Sequence, residues 1–140
     1  MQRVIVTGGA GFIGSHVVDR LVSMGVQVSI IDDFSTGKVE NVNKAAYCWK
    51  QDLATVNIDD LTEFMKGVDV VFHMAALPRV GFSVENPSYT FRHNVYATSV
   101  LLEWAKDHNV KRVIFSSSSA VYGDNGDGPA SPYGLHKLLA

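Results

Sequence analysis

The chain has 140 residues, 46% of them apolar and 19% charged, with a formal charge of -2, enough for one folded domain that buries roughly two-thirds of its surface. Its Lys and Arg residues are scattered rather than clustered, which argues against nucleic acid as a partner; its apolar runs fall far short of the ~20 residues that cross a bilayer, which argues against a membrane span. The lone Cys48 excludes an internal disulfide and a cysteine metal site, and an opening that enters a strand pattern at once, with no secretory n-region, leads to a cytoplasmic expectation.

Val4 to Thr7 is a short apolar run that ends on glycines, and Ile13, Val17, Leu21 and Met24 follow at helical steps, so strand gives way to helix. Gly25 ends that helix. Val26 to Ile31 reads as a second buried strand, and residues 32–37 are turn chemistry. Ala46 to Trp49 is a third, weaker strand. Leu61, Phe64 and Met65 suit a short helix capped by Asp59 or Asp60 and closed by Gly67. Val68 to His73 is a fourth strand. Asn86-Pro87 is a cap with proline at the first helical position, and Phe91, Val95, Thr98, Leu102 and Ala105 form the apolar stripe of one long helix reaching about His108. Arg112 to Ser116 is a fifth strand, and Ser131-Pro132 repeats the cap-proline signature before a helix over 133–140. Strands alternating with helices predict an α/β fold: a Rossmann-type, doubly wound parallel sheet of order 3-2-1-4-5.

Gly8, Gly11 and Gly14 stand between the first strand and the first helix, where a tight turn and a close backbone approach to a pyrophosphate exclude side chains. The helix N-terminus then aims free N–H groups and a positive dipole end at the phosphates. Asp32 closes the second strand 18 residues after Gly14, where a carboxylate can accept from ribose hydroxyls. That carboxylate would repel a 2′-phosphate, which favours NAD over NADP. Near the other end, Tyr133 and Lys137 are four apart on one helix face. An ammonium there can stabilise a phenolate, whose ordinary pKa near 10 is too high for a base at neutral pH.

VTGGAGFIGSH (6–16), DDFSTGK (32–38), Asp52-Leu53, HMAA (73–76), Asn94-Val95, FSSSSAVYG (115–123) and YGLHK (133–137) occur in that order. Through these seven stretches the chain resembles the extended short-chain dehydrogenase/reductases, and among them the nucleotide-sugar epimerases and dehydratases. The resemblance implies an NAD site built from Gly8, Gly11, Phe12, Ile13 and Gly14, and from Asp32, Asp33, Ser35, Thr36 and Gly37. It adds Asp52 and Leu53 at the adenine, Ala75 and Ala76 along the cofactor, Asn94 and Ser116, with Tyr133 and Lys137 at the nicotinamide ribose. Ser118, Tyr133 and Lys137 are then the catalytic set: Ser118 polarises the substrate oxygen, Tyr133 takes the proton, Lys137 tunes and binds. The dehydratases carry an acid pair after the hydroxyl residue, and the related decarboxylases a glutamate. Here Ser119 and Ala120 occupy those positions, so the resemblance implies an NAD-dependent epimerase acting on a nucleotide-sugar. A dinucleotide-binding module without turnover, an assembly fragment and a dehydratase or reductase are the alternatives.

Relatives are roughly twice as long, so residues 1–140 are expected to form the NAD-binding domain alone, ending within the catalytic helix and lacking the C-terminal substrate domain. The loop from Gly123 to Ser131 is short beside the family's acidic, proline-containing insert, which bears on where Tyr133 sits. The fifth strand is expected to leave an apolar edge, covered by pairing or exchange in a homo-oligomer. His16, His73, His93, His108 and His136 show no metal-ligand spacing, so no metal is expected and all five read as structural.

Overall fold

The computed structural model describes residues 2–140. Strands β1 (Arg3–Thr7), β2 (Gln27–Asp32), β3 (Tyr47–Lys50), β4 (Val70–His73) and β5 (Arg112–Phe115) form one sheet in the order β3-β2-β1-β4-β5, with every neighbouring pair parallel. That is the expected order. In register, Ile5 lies between Ser29 of β2 and Val71 of β4, and alternation along the strands divides the core between the two faces.

Helix α1 (Phe12–Ser23) covers one face. There Val18 packs with Val4, Val6, Val28, Ile30 and Val70. On the other face, Ile5, Ile31 and Val71 meet Leu61 and Met65, around helix α2 (Ile58–Phe64), and Leu101 and Trp104 of helix α5 (Ala97–Asp107). Ile5, Ile30, Leu61 and Leu101 are fully buried, and each such side chain contributes about 1.5–3 kcal/mol over an exposed one. Both faces are therefore covered around β1 and β2, as a parallel sheet requires.

Four local expectations are corrected. Asn57, not Asp59 or Asp60, caps α2: its Oδ1 accepts from the Asp59 N–H at 2.8 Å. A short helix absent from the sequence pattern, α3 (Val80–Glu85), precedes α4 (Pro87–Phe91). The long helix predicted from Asn86 to His108 is interrupted: a π turn over Arg92–Tyr96 separates α4 from α5. A π turn holds more residues than an α turn, so it rotates the buried face. Thr90, Asn94, Ala97, Leu101 and Trp104 point inward, whereas Phe91 and Leu102 of the predicted stripe are 44% and 43% exposed. Asn86 also makes no side-chain cap. Helix α6 (Pro132–Leu139) does begin as expected, the Ser131 hydroxyl accepting from the Gly134 N–H at 3.1 Å. No helix among the described residues is long and apolar enough to cross a membrane.

Candidate functional site

The carboxyl ends of the parallel strands face one edge of the sheet, and a cleft of ≈ 430 Å³ opens there, where the strand order reverses on either side of β1. Its floor begins with the glycine turn. Gly8 has φ +70°, and a Cβ on it would lie 2.7 Å from the Ala75 nitrogen; a Cβ on Gly14 would lie 2.1 Å from the Gly8 oxygen. Only glycine permits this packing of turn, helix and the segment after β4. Helix α1 starts at Gly11 without a side-chain cap, leaving first-turn N–H groups for an anion. Phe12 and Ile13, which line the cleft, stay 79% and 59% exposed.

Asp32 ties two walls together. Its Oδ2 accepts from the Ala10 N–H at 2.9 Å, and its Oδ1 accepts from the Phe34 N–H at 2.9 Å. The second bond holds Phe34 at φ +60°, a left-handed conformation that a bulky side chain rarely adopts. Burial pushes the Asp32 carboxyl above its ordinary range, while the two N–H groups pull it back. Each oxygen keeps acceptor capacity for a hydroxyl. Asp33 folds onto its own loop, accepting from the Ser35 N–H at 2.8 Å and the Ser35 hydroxyl at 2.6 Å.

Beneath the middle of the cleft runs a buried chain of hydrogen bonds whose proton positions follow from satisfaction alone. The Thr98 hydroxyl donates to the Asn94 carbonyl at 2.9 Å, so toward His73 Nε2, also at 2.9 Å, it must accept. His73 therefore carries its proton on Nε2. Its Nδ1 accepts from the Thr7 hydroxyl at 2.6 Å, and Thr7 Oγ1 accepts from the Ala75 N–H at 3.2 Å. Burial, helped by the Lys137 charge, holds the His73 pKa down to about 3, so the ring is neutral. The structural role read for His73 fits this chain. Asn94 extends it, accepting from the Leu77 N–H at 2.7 Å and donating to the Leu77 carbonyl at 3.1 Å.

At the far end, α6 is anchored by the Tyr133 N–H, which donates to Ser83 Oγ of α3 at 3.0 Å. A Cβ on Gly134 would lie 2.5 Å from the Ala120 carbonyl oxygen, so glycine lets α6 seat against the short turn after Ser118. The Ser118 hydroxyl caps that turn, accepting from the Ala120 N–H at 3.2 Å. Lys137 is only 5% exposed. Its Nζ donates to the Ser116 carbonyl at 2.9 Å and stands 4.6 Å from the centre of the Phe115 ring. Burial lowers its pKa to about 8, which leaves a cation at neutral pH with donors to spare.

Ser118, Tyr133 and Lys137 line the same cleft as Gly8, Gly11, Gly14 and Asp32, despite the short loop before α6. So do Asp33, Ser35, Thr36, Asp52 and Leu53, and so do Ala75, Ala76 and Ser116. Gly37 and Asn94 do not. Gly37 stands behind Asp32, where a Cβ would lie 2.7 Å from Oδ1, and the Asn94 amide is committed to Leu77, so both shape the cleft from outside it. Gln51 and Leu77 line it without having been singled out from sequence, and so does His93, which reads from sequence as structural. The signal for His93 is spatial: its Nε2 lies 3.2 Å from Asp52 Oδ2 across 41 residues.

Comparison with known proteins agrees with this geometry. Residues 4–140 match the family model described as the NAD dependent epimerase/dehydratase family. A putative UDP-glucose 4-epimerase of Methanocaldococcus jannaschii is 40% identical over 97% of this chain and 48% of its own length. The UDP-glucose 4-epimerase of Thermotoga maritima, solved with UDP-glucose, superposes with a TM-score of 0.92 at 38% identity, over 98% of this chain and 48% of that one. The UDP-glucose 4-epimerase of Thermus thermophilus, solved with NAD, gives 0.87 at 36% identity, over 97% and 47%. The chain spans about half the length of the curated relatives it matches. Fold, cleft and likeness agree: the chain belongs to the NAD dependent epimerase/dehydratase family.

Proposed function

We propose that residues 1–140 form one NAD-binding domain of a nucleotide-sugar 4-epimerase, for substrates of the UDP-glucose and UDP-galactose type. The observation that carries this reading is that Ser118, Tyr133 and Lys137 share a cleft with the glycine turn and Asp32. The residues fit the cofactor: uncapped N–H groups at the start of α1 for the pyrophosphate, the Asp32 carboxylate for the adenosine ribose, and the Lys137 ammonium for the second ribose. Bound there, NAD supplies the acceptor and donor of hydride. Ser118 holds the reacting sugar oxygen, Tyr133 takes and returns its proton, and Lys137 supports the charge on Tyr133 while gripping the ribose. Ser119 and Ala120 offer neither the acid nor the base that elimination of water needs, which favours epimerisation over dehydration.

The alternative kept from the sequence is a dinucleotide-binding module without turnover. Calorimetry and a turnover assay separate the two. NAD is expected to bind, with NADP weaker by about tenfold or more because its 2′-phosphate meets Asp32. Multiple turnover of UDP-glucose, UDP-galactose or their N-acetylated forms by the 140 residues alone is expected to be very weak or absent. A preference for NADP, or no heat with either nucleotide, contradicts the cofactor reading; rapid epimerisation contradicts the module.

A further inference from the structure

Ser83 is fully buried, and it is the one buried residue of α3. Val80, Phe82 and Val84 beside it are exposed, so no buried apolar stripe holds this helix to the body of the domain. A polar contact does so instead. The Ser83 hydroxyl donates to the Val80 carbonyl at 2.7 Å within its own helix, which commits its single proton. A lone pair is left for the Tyr133 N–H, 3.0 Å away and 50 residues along the chain.

That N–H belongs to the first turn of α6, where N–H groups have no acceptor inside the helix. Pro132 has no N–H to satisfy. Gly134 donates to the Ser131 hydroxyl at 3.1 Å, and Leu135 to the Ser131 carbonyl at 3.0 Å. Tyr133 is the remaining donor, and Ser83 completes the cap from a different element. Ser131 is local and makes the turn helical wherever α6 lies. Ser83 stands on α3, so its bond also fixes where α6 lies.

Helix α3 continues the segment after β4, which lines the cleft with Ala75, Ala76, Leu77 and Pro78. That segment is pinned in turn. Thr7 Oγ1 accepts from the Ala75 N–H, and the Asn94 amide holds both the N–H and the carbonyl of Leu77. Residues 75–85 thus form a strap from the wall of the cleft to the backbone of Tyr133, with polar bonds at both ends. Ser83 itself does not line the cleft.

We propose that Ser83 is a positioning residue for the nicotinamide end of the cleft: its bond to the Tyr133 N–H sets where Tyr133 and, one turn later, Lys137 stand against the dinucleotide. The proposal rests on the NAD reading above and adds to it a residue that touches neither cofactor nor reacting atoms.

Calorimetry with NAD and with ADP tests it, because ADP keeps the adenosine and the pyrophosphate but lacks the second ribose and the nicotinamide, and so stops short of α6. Ser83→Ala leaves the Tyr133 N–H buried without an acceptor, and is expected to weaken NAD roughly three- to tenfold while ADP stays within about twofold of the wild type. In a Lys137→Met background the same substitution is expected to change NAD affinity by less than about twofold, because the ammonium that it displaces is already gone. An equal loss for both ligands, an unchanged NAD affinity, or a loss of full size in the Lys137→Met background would overturn the role of Ser83 while leaving NAD binding intact. Amide hydrogen exchange on the wild type is a second readout, and decides alone if Ser83→Ala does not fold. The Tyr133 N–H is expected to exchange about threefold or more slowly with saturating NAD, and not with ADP. The same response to both ligands, or none to either, would overturn the role as well. Absence of binding of NAD and ADP alike by the wild type would overturn the cofactor reading, and this proposal with it.

Discussion

Lys137 is the residue where burial and function oppose each other most directly. Its pKa falls from 10.5 to about 8 because folding strips water from the ammonium. Between about pH 8 and 10.5 the unfolded chain binds the proton and the folded chain does not, so this group's contribution to stability rises with pH through that window. Below about 8 both states hold the proton and the desolvation penalty is present in full. A buried cation with one carbonyl partner has a reason to exist only if something else needs it. Lys137→Met should therefore melt at or above the wild-type temperature while losing about tenfold or more in NAD affinity. A melting temperature several degrees lower, with affinity unchanged, would mean that Lys137 is structural. Lys137 and Asp32 were legible in sequence because their neighbours carry a spacing. His93 was not, because its partner Asp52 is 41 residues away and only folding brings them together.

Elements with a clear period were legible, and those defined by a local irregularity were not. Five strands and α1 follow from apolar runs and helical steps, and α6 from Ser131-Pro132. The π turn leaves no mark in the spacing of apolar residues. Yet it sets the buried face of α5 and presents His93 and Asn94 to Asp52 and Leu77. Helix α3 escaped for a related reason. Its six residues bury only Ser83, so there is no apolar stripe to detect, although Ser83 Oγ accepts from the backbone N–H of Tyr133. The seating of α6 is also a matter of shape. Gly134→Ala would push a Cβ toward the Ala120 carbonyl and Pro129, and should destabilise the protein by about 1–3 kcal/mol in a denaturant titration. NAD affinity should fall too, because Lys137 moves with the helix. Wild-type stability and affinity in that variant would show that α6 has room to spare.

For the whole molecule, sheet order was fully legible because parallel crossovers leave few alternatives. β5 forms one edge of that sheet, its Val113, Ile114 and Phe115 only partly buried. That edge is the feature behind the proposed homo-oligomer, and a stable monomer in sedimentation at high concentration would remove it. The central claim is that one cleft binds NAD along its length, from Asp32 and Asp52 past the glycine turn to Tyr133 and Lys137. A crystal structure of the chain grown with NAD tests it most directly. The pyrophosphate is expected against the start of α1, the adenosine ribose at Asp32 and the nicotinamide ribose at Lys137. Nicotinamide density lying away from Tyr133, or a cleft without nucleotide at saturating NAD, would contradict it.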